Sequence, residues 1–149
     1  MPRRHLEFAT LADARAEAMR LHVGGYDRLG QWNLAQICDH LTAFTLGCID
    51  GHPYRVPWLF KVLFGRLVLR RILSGGRMKP GIPTPQNPLP SPDGDEAIAV
   101  ARYAAAIERF EAYDGRYVPS PFFGQLTAEQ WRDLHRIHAQ HHLGFLAPR

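Results

Sequence analysis

Apolar residues recur at helical spacing along most of the chain. Leu11, Ala14, Ala18 and Leu21 follow Thr10 and Asp13, a pair suited to a helix N-terminus, and Gly24–Gly25 stops the run. A second helix should start at Asn33, with Gln36 three residues on as its capping partner, and end near Asp50–Gly51; Ile37, Leu41, Phe44 and Cys48 form its apolar stripe. The stretch WLFKVLFGRLVLRRI, from Trp58 to about Ile72, is apolar over a wide face and basic on the rest, and reads as an inserted helix. Between Lys79 and Gly94, Pro80, Pro83, Pro85, Pro88, Pro90 and Pro92 exclude regular structure and predict a long loop. Another helix is expected from Asp95 to Tyr113, opening on acidic residues that suit the helix dipole. Thr127 and Gln130 cap a last one, from Ala128 to about Leu146, before Pro148. The expected architecture is all-α: four main helices, one inserted helix and a Pro-rich loop, with no internal repeat.

Composition narrows this picture. With 149 residues, 46% hydrophobic and 21% charged, the chain has the proportions of one globular domain, residues 1–149, able to bury roughly two-thirds of its unfolded surface. The net charge is +4, but Lys and Arg are scattered along the chain instead of forming a basic stripe, which argues against nucleic acid as a partner. The N-terminus lacks the apolar core of a signal peptide, so a cytoplasmic location is expected. Cys38 and Cys48 lie ten residues apart on one predicted helix, about 15 Å along its axis, and cannot pair. The apolar stretch Trp58–Leu73 is broken by Lys61, Arg66, Arg70 and Arg71 and cannot span a bilayer. No membrane partner is expected, although a helix lying on a membrane surface is the alternative to one packed on the bundle.

The histidines carry the chemistry. His138 and His142 are four residues apart on the last helix, so both project from one face, inside the stripe of Trp131, Leu134 and Phe145 and away from Arg132, Arg136 and Gln140. A buried imidazole needs partners for its nitrogens, and a metal ion satisfies two such side chains at once. The alternative is a pair of core histidines bonded to carbonyls or, through water, to each other. On the second helix His40 lies beside Gln36, Ala43 and Gly47, small or polar residues that leave room for an ion or ligand. One histidine from the second helix and two from the last make a three-nitrogen site with an open coordination position, the arrangement of a reactive metal more than of a scaffolding one.

Two segments then become familiar. Trp32-Asn33-Leu34-Ala35-Gln36-Ile37-Cys38-Asp39-His40-Leu41, and Thr127-Ala128-Glu129-Gln130-Trp131 followed by His135, His138, His141, His142 and Leu143, resemble the signatures of the DinB-like (damage-inducible) four-helix metalloproteins. Pro121-Phe122-Phe123-Gly124-Gln125-Leu126-Thr127 resembles a bacterial branch of that superfamily whose function is uncharacterised. The resemblance implies a four-helix bundle in which His40, His138 and His142 hold one divalent metal. His135, seven residues before His142, is a candidate extra ligand or orienting partner, and Gln36 is a candidate polar contact by position.

Members of the superfamily with assigned activity use the metal to bind a small thiol and lower its pKa. The resemblance therefore implies a metal-dependent thiol transferase or related small-molecule enzyme using zinc, nickel or iron. A metal-dependent hydrolase and a non-catalytic, metal-stabilised interaction module are the alternatives. No carboxylate on the ligand face offers a general base, since Asp39 points roughly 100° from His40, and this weakens the hydrolase reading. The inserted helix and Pro-rich loop are candidates for substrate access or a homodimer interface; joint exposure of Trp58, Phe60 and Phe64 would favour an interface.

Overall fold

The structure, a computed structural model, describes residues 2–80 and 90–149. It is mostly helical, with one small two-stranded sheet. The elements are α1 (Leu11–Gly24), β1 (Tyr26–Arg28), α2 (Leu34–Asp50), α3 (Trp58–Phe60), a π-helical turn (Lys61–Gly65), α4 (Arg66–Gly75), α5 (Glu96–Glu111), α6 (Ala128–Leu143) and β2 (Leu146–Pro148).

The helix starts follow the capping chemistry in the sequence. Thr10 with Asp13, Asn33 with Gln36 and Thr127 with Gln130 each form a reciprocal box, the first side chain accepting from the third-residue N–H while that residue's side chain accepts from the cap N–H. The Asp95 carboxylate accepts from Ile98 N at 3.0 Å and opens α5. α2 packs along α5 and also meets α6, while α1 lies against both α5 and α6. Their shared core holds Leu11, Leu21, Leu34, Ile37, Leu41, Tyr103, Phe110, Trp131, Leu134 and Ile137, all essentially inaccessible to solvent. Cys38 and Cys48 are both buried and free.

The C-terminus departs from expectation. α6 ends at Leu143, not near Leu146, because the chain crosses itself there. Arg4 N donates to Gly144 O at 2.7 Å, and a Cβ on Gly144 would meet the Arg4 carbonyl oxygen at the same distance. The chain then peels off, and Leu146–Pro148 pairs antiparallel with Tyr26–Arg28. Leu146 is fully buried, so it extends the apolar count of the helix without belonging to it. Of the Pro-rich loop, Pro83, Pro85 and Pro88 lie outside the described residues; the flanking Lys79–Pro80 and Pro90–Gly94 form turns and irregular chain.

The inserted segment is helical from Trp58 to Gly75 but changes pitch at the π-helical turn. Its attachment is narrow. Gly65 sits so close to the loop after α5 that a Cβ would lie 2.4 Å from the Phe122 carbonyl oxygen, and Leu69 and Ile72 are the buried residues of α4, which packs against α6. Trp58, Phe60 and Phe64 are exposed together, with Leu59, Val62, Leu63 and Leu67 beside them.

Candidate metal centre

The site lies where α2 and α6 face each other. His40 projects from the second turn of α2, and His138 and His142 from successive turns at the end of α6. The His138 Nε2 lies 3.0 Å from the His40 Nε2 and 3.0 Å from the His142 Nε2, and one ligand atom from each of the three falls within 4.8 Å of the others. With metal–nitrogen bonds of about 2.0–2.1 Å, ligands separated by 90–109° at an ion stand roughly 2.9–3.4 Å apart. The two short spacings fit the edges of such a ligand face. A hydrogen-bonded junction of three imidazoles requires one particular set of tautomers, whereas a cation accepts all three lone pairs together.

Aromatic rings fix these side chains. Trp32, just ahead of the α2 cap, stacks on His142 with centroids 5.6 Å apart and planes 12° apart, and meets His40 edge-on at 5.2 Å. Phe44, one turn beyond His40, meets His138 edge-on at 4.3 Å. Among the described residues the buried Nδ1 of His138 has no hydrogen-bond partner, so the ring is oriented by its packing against Phe44 and by the Nε2 contacts to His40 and His142. Burial holds the pKa values of His138 and His142 well below the ordinary histidine range, and the neighbouring histidines push the same way. Both are therefore neutral near pH 7, the form in which imidazole is a ligand.

The other nominated residues do different work. His135 stands outside this group: its Nε2 is 3.6 Å from the Cys48 Sγ, its ring stacks on Trp131, and it meets Phe110 and Phe44 edge-on. Burial, with His52 as a lesser cause, lowers its pKa to about 3. Gln36 is buried, but its Oε1 accepts from Asn33 N at 3.1 Å and its Nε2 donates to Pro90 O at 3.1 Å, so the helix cap and the loop use its side chain. His141 turns aside to Arg3 and the Met78 carbonyl. The room expected at Gly47 is taken by His52, whose ring lies where a Cβ would sit, and Ala43 is exposed. Asp39 pairs with Arg102 at 2.7 Å, outside the site.

Sequence reasoning missed the walls. Trp32 appeared in the motif without a role, and Phe44 was assigned only to the apolar stripe. The available signal was spacing: Phe44 is one helical turn from His40 and therefore flanks any ligand bound there.

No curated protein and no solved structure matches this chain. A family model does match, over residues 1–149, so that the chain carrying this histidine cluster belongs to the family described as a protein of unknown function, DUF1569.

Proposed function

We propose that this is a DinB-like four-helix protein that holds one divalent transition metal, zinc, nickel or iron, on His40, His138 and His142, and serves as a metal-dependent thiol transferase or related small-molecule enzyme. The observation that carries the reading is the convergence of three histidine nitrogens, with no carboxylate or thiol in the group. Three neutral imidazoles leave the dication's charge undiminished and its remaining positions open to a substrate atom.

Bound there, the ion supplies a Lewis acid that favours the deprotonated form of a small thiol. The chain's part is to keep the ligands neutral by burial and to hold their rings with Trp32 and Phe44, so that little reorganisation accompanies binding. Among the described residues the ligand group holds no carboxylate and Asp39 is taken up by Arg102, which favours thiol activation over hydrolysis, because a metal can favour a thiolate without a dedicated base, whereas water attack usually uses one.

The test is to load the protein with cobalt(II) and titrate it with β-mercaptoethanol. A thiolate-to-cobalt charge-transfer band should grow and saturate, and be absent from the His138→Ala/His142→Ala variant. A spectrum that thiol leaves unchanged, in protein that retains its cobalt, eliminates the thiol reading.

A further inference from the structure

Basic residues are scattered along the chain, but acidic ones are not. From Gly51 to Pro92 there is no Asp or Glu, while Arg55, Lys61, Arg66, Arg70, Arg71, Arg77 and Lys79 all fall in that stretch; the other 11 basic residues share the remaining chain with all 14 acidic ones. The inserted helix is thus a cationic region on a body that is otherwise slightly acidic. Among the described residues Arg66, Arg70 and Arg71 are exposed and make no ion pair.

The same helix leaves its apolar side chains uncovered. Trp58 is 69% exposed and Leu67 67%, and Leu59, Phe60, Val62, Leu63 and Phe64 are exposed between them. The two features are ordered along the axis. The apolar group fills the N-terminal part, and the three arginines follow over the next turns, so that Trp58 and Arg70 are about 18 Å apart. Gly65, Leu69 and Ile72 face the body, which leaves the outer face and the tip open.

We propose that this helix docks on an anionic lipid bilayer, with Trp58, Phe60, Leu63, Phe64 and Leu67 entering the boundary between headgroups and acyl chains while Arg66, Arg70 and Arg71 contact lipid phosphates. Aromatic and aliphatic side chains on one part of a helix, with uncompensated arginines beside them, match both layers of such a surface. A second copy of the chain fits less well. Self-complementary pairing through the apolar group would leave Arg66, Arg70 and Arg71 of both copies without an anionic partner, because the same patch, with no Asp or Glu between Gly51 and Pro92, would face itself. A nucleic acid would meet the arginines but has no contact to offer Leu59, Val62, Leu63 and Leu67. The segment does not cross the bilayer, since no helix among the described residues is long and apolar enough.

Full-length metal-loaded protein is sedimented with vesicles of phosphatidylcholine alone and of phosphatidylcholine mixed with phosphatidylglycerol. Binding should require phosphatidylglycerol and weaken as salt is raised. Arg66→Gln/Arg70→Gln/Arg71→Gln should lower the partition coefficient by about a hundredfold, on the order of fivefold per charge. Phe60→Ser/Phe64→Ser should lower it at least tenfold. Both variants change exposed residues, and circular dichroism with metal content shows that they fold. No vesicle binding, equal binding to both lipid mixtures, or a solution dimer that Phe60→Ser/Phe64→Ser dissociates without any lipid binding each overturns the proposal.

Discussion

The seam between α2 and α6 and the inserted helix Trp58–Gly75 break the same rule in opposite directions. At the seam, polar rings are buried: His40 and His138 are nearly inaccessible, and His135 lies one turn before His138. On the inserted helix, large apolar side chains stand in solvent. Each departure is unfavourable in isolation, since buried imidazole nitrogens lose water and exposed apolar area forfeits roughly 25 cal/mol per Å². What separates them is how firmly each is held. Trp32, Phe44, Trp131 and Phe110 surround the histidines, whereas the inserted helix is tied down by Gly65, Leu69 and Ile72. A departure fixed by packing on every side marks a site that must keep its geometry. One on a loosely attached projection marks a surface awaiting a cover.

The strongest way to break the comparison is to empty the seam. Native protein should carry about one equivalent of metal, and His138→Ala/His142→Ala almost none, by mass spectrometry. Zinc at a free concentration of a thousand times its Kd should stabilise the native protein by about 4 kcal/mol and the variant by nothing. A variant that keeps its metal would show that these rings are core polar residues.

The pH dependence of the metal-free protein comes next. His135 has a folded pKa of about 3 against about 6.5 for the unfolded chain. Between those values the unfolded state binds the proton and the folded state does not, so stability falls as pH drops from 6.5 towards 3. The slope from this residue is about 1.4 kcal/mol per pH unit where its two states differ fully. His138, His141 and His142 are lowered too and act in the same direction. His135→Phe should therefore flatten, without abolishing, the acid loss measured by urea unfolding at a series of pH values. An unchanged slope would mean that His135 is hydrated in solution.

Legibility in the sequence followed the same division. The starts of α1, α2 and α6 were readable because Thr10, Asn33 and Thr127 with their third-residue partners act locally. His138 and His142 could be placed on one face because that relation depends only on helical pitch. The end of α6 was not readable, because it is set by Arg4 crossing at Gly144, a contact between the two ends of the chain. Gln36 shows the limit for function: one side chain suited both a cap and a site, and geometry alone assigns it to Asn33 and Pro90. The vacancy inferred at Gly47 failed for a similar reason, since His52, beyond the helix, folds back to fill it.

The attachment of the inserted helix can be tested at Gly65. A methyl group there would lie 2.4 Å from the Phe122 carbonyl oxygen, a backbone atom that cannot swing away. Gly65→Ala should cost about 1–3 kcal/mol through overpacking, offset in part by the better helix propensity of alanine. Hydrogen exchange should rise across Trp58–Gly75, while metal content stays at one equivalent. Loss of metal in this variant would join the two regions that the comparison separates.

The smallest expected effect probes the comparison most directly. Leu67 and Leu69 lie two residues apart on α4, the first 67% exposed and the second 2%. Truncating a buried leucine such as Leu69 removes packing on all sides and ordinarily costs about 2–5 kcal/mol. Leu67 has little such packing to lose, and alanine preserves the helix, so Leu67→Ala should shift the stability of dilute protein by less than about 0.5 kcal/mol. Urea unfolding at two protein concentrations measures this. A loss of 2 kcal/mol or more, growing with concentration, would mean that a second copy covers the outer face in solution. The exposed leucine would then be a core residue of a dimer, and the contrast between the two regions would reduce to one rule obeyed in two places.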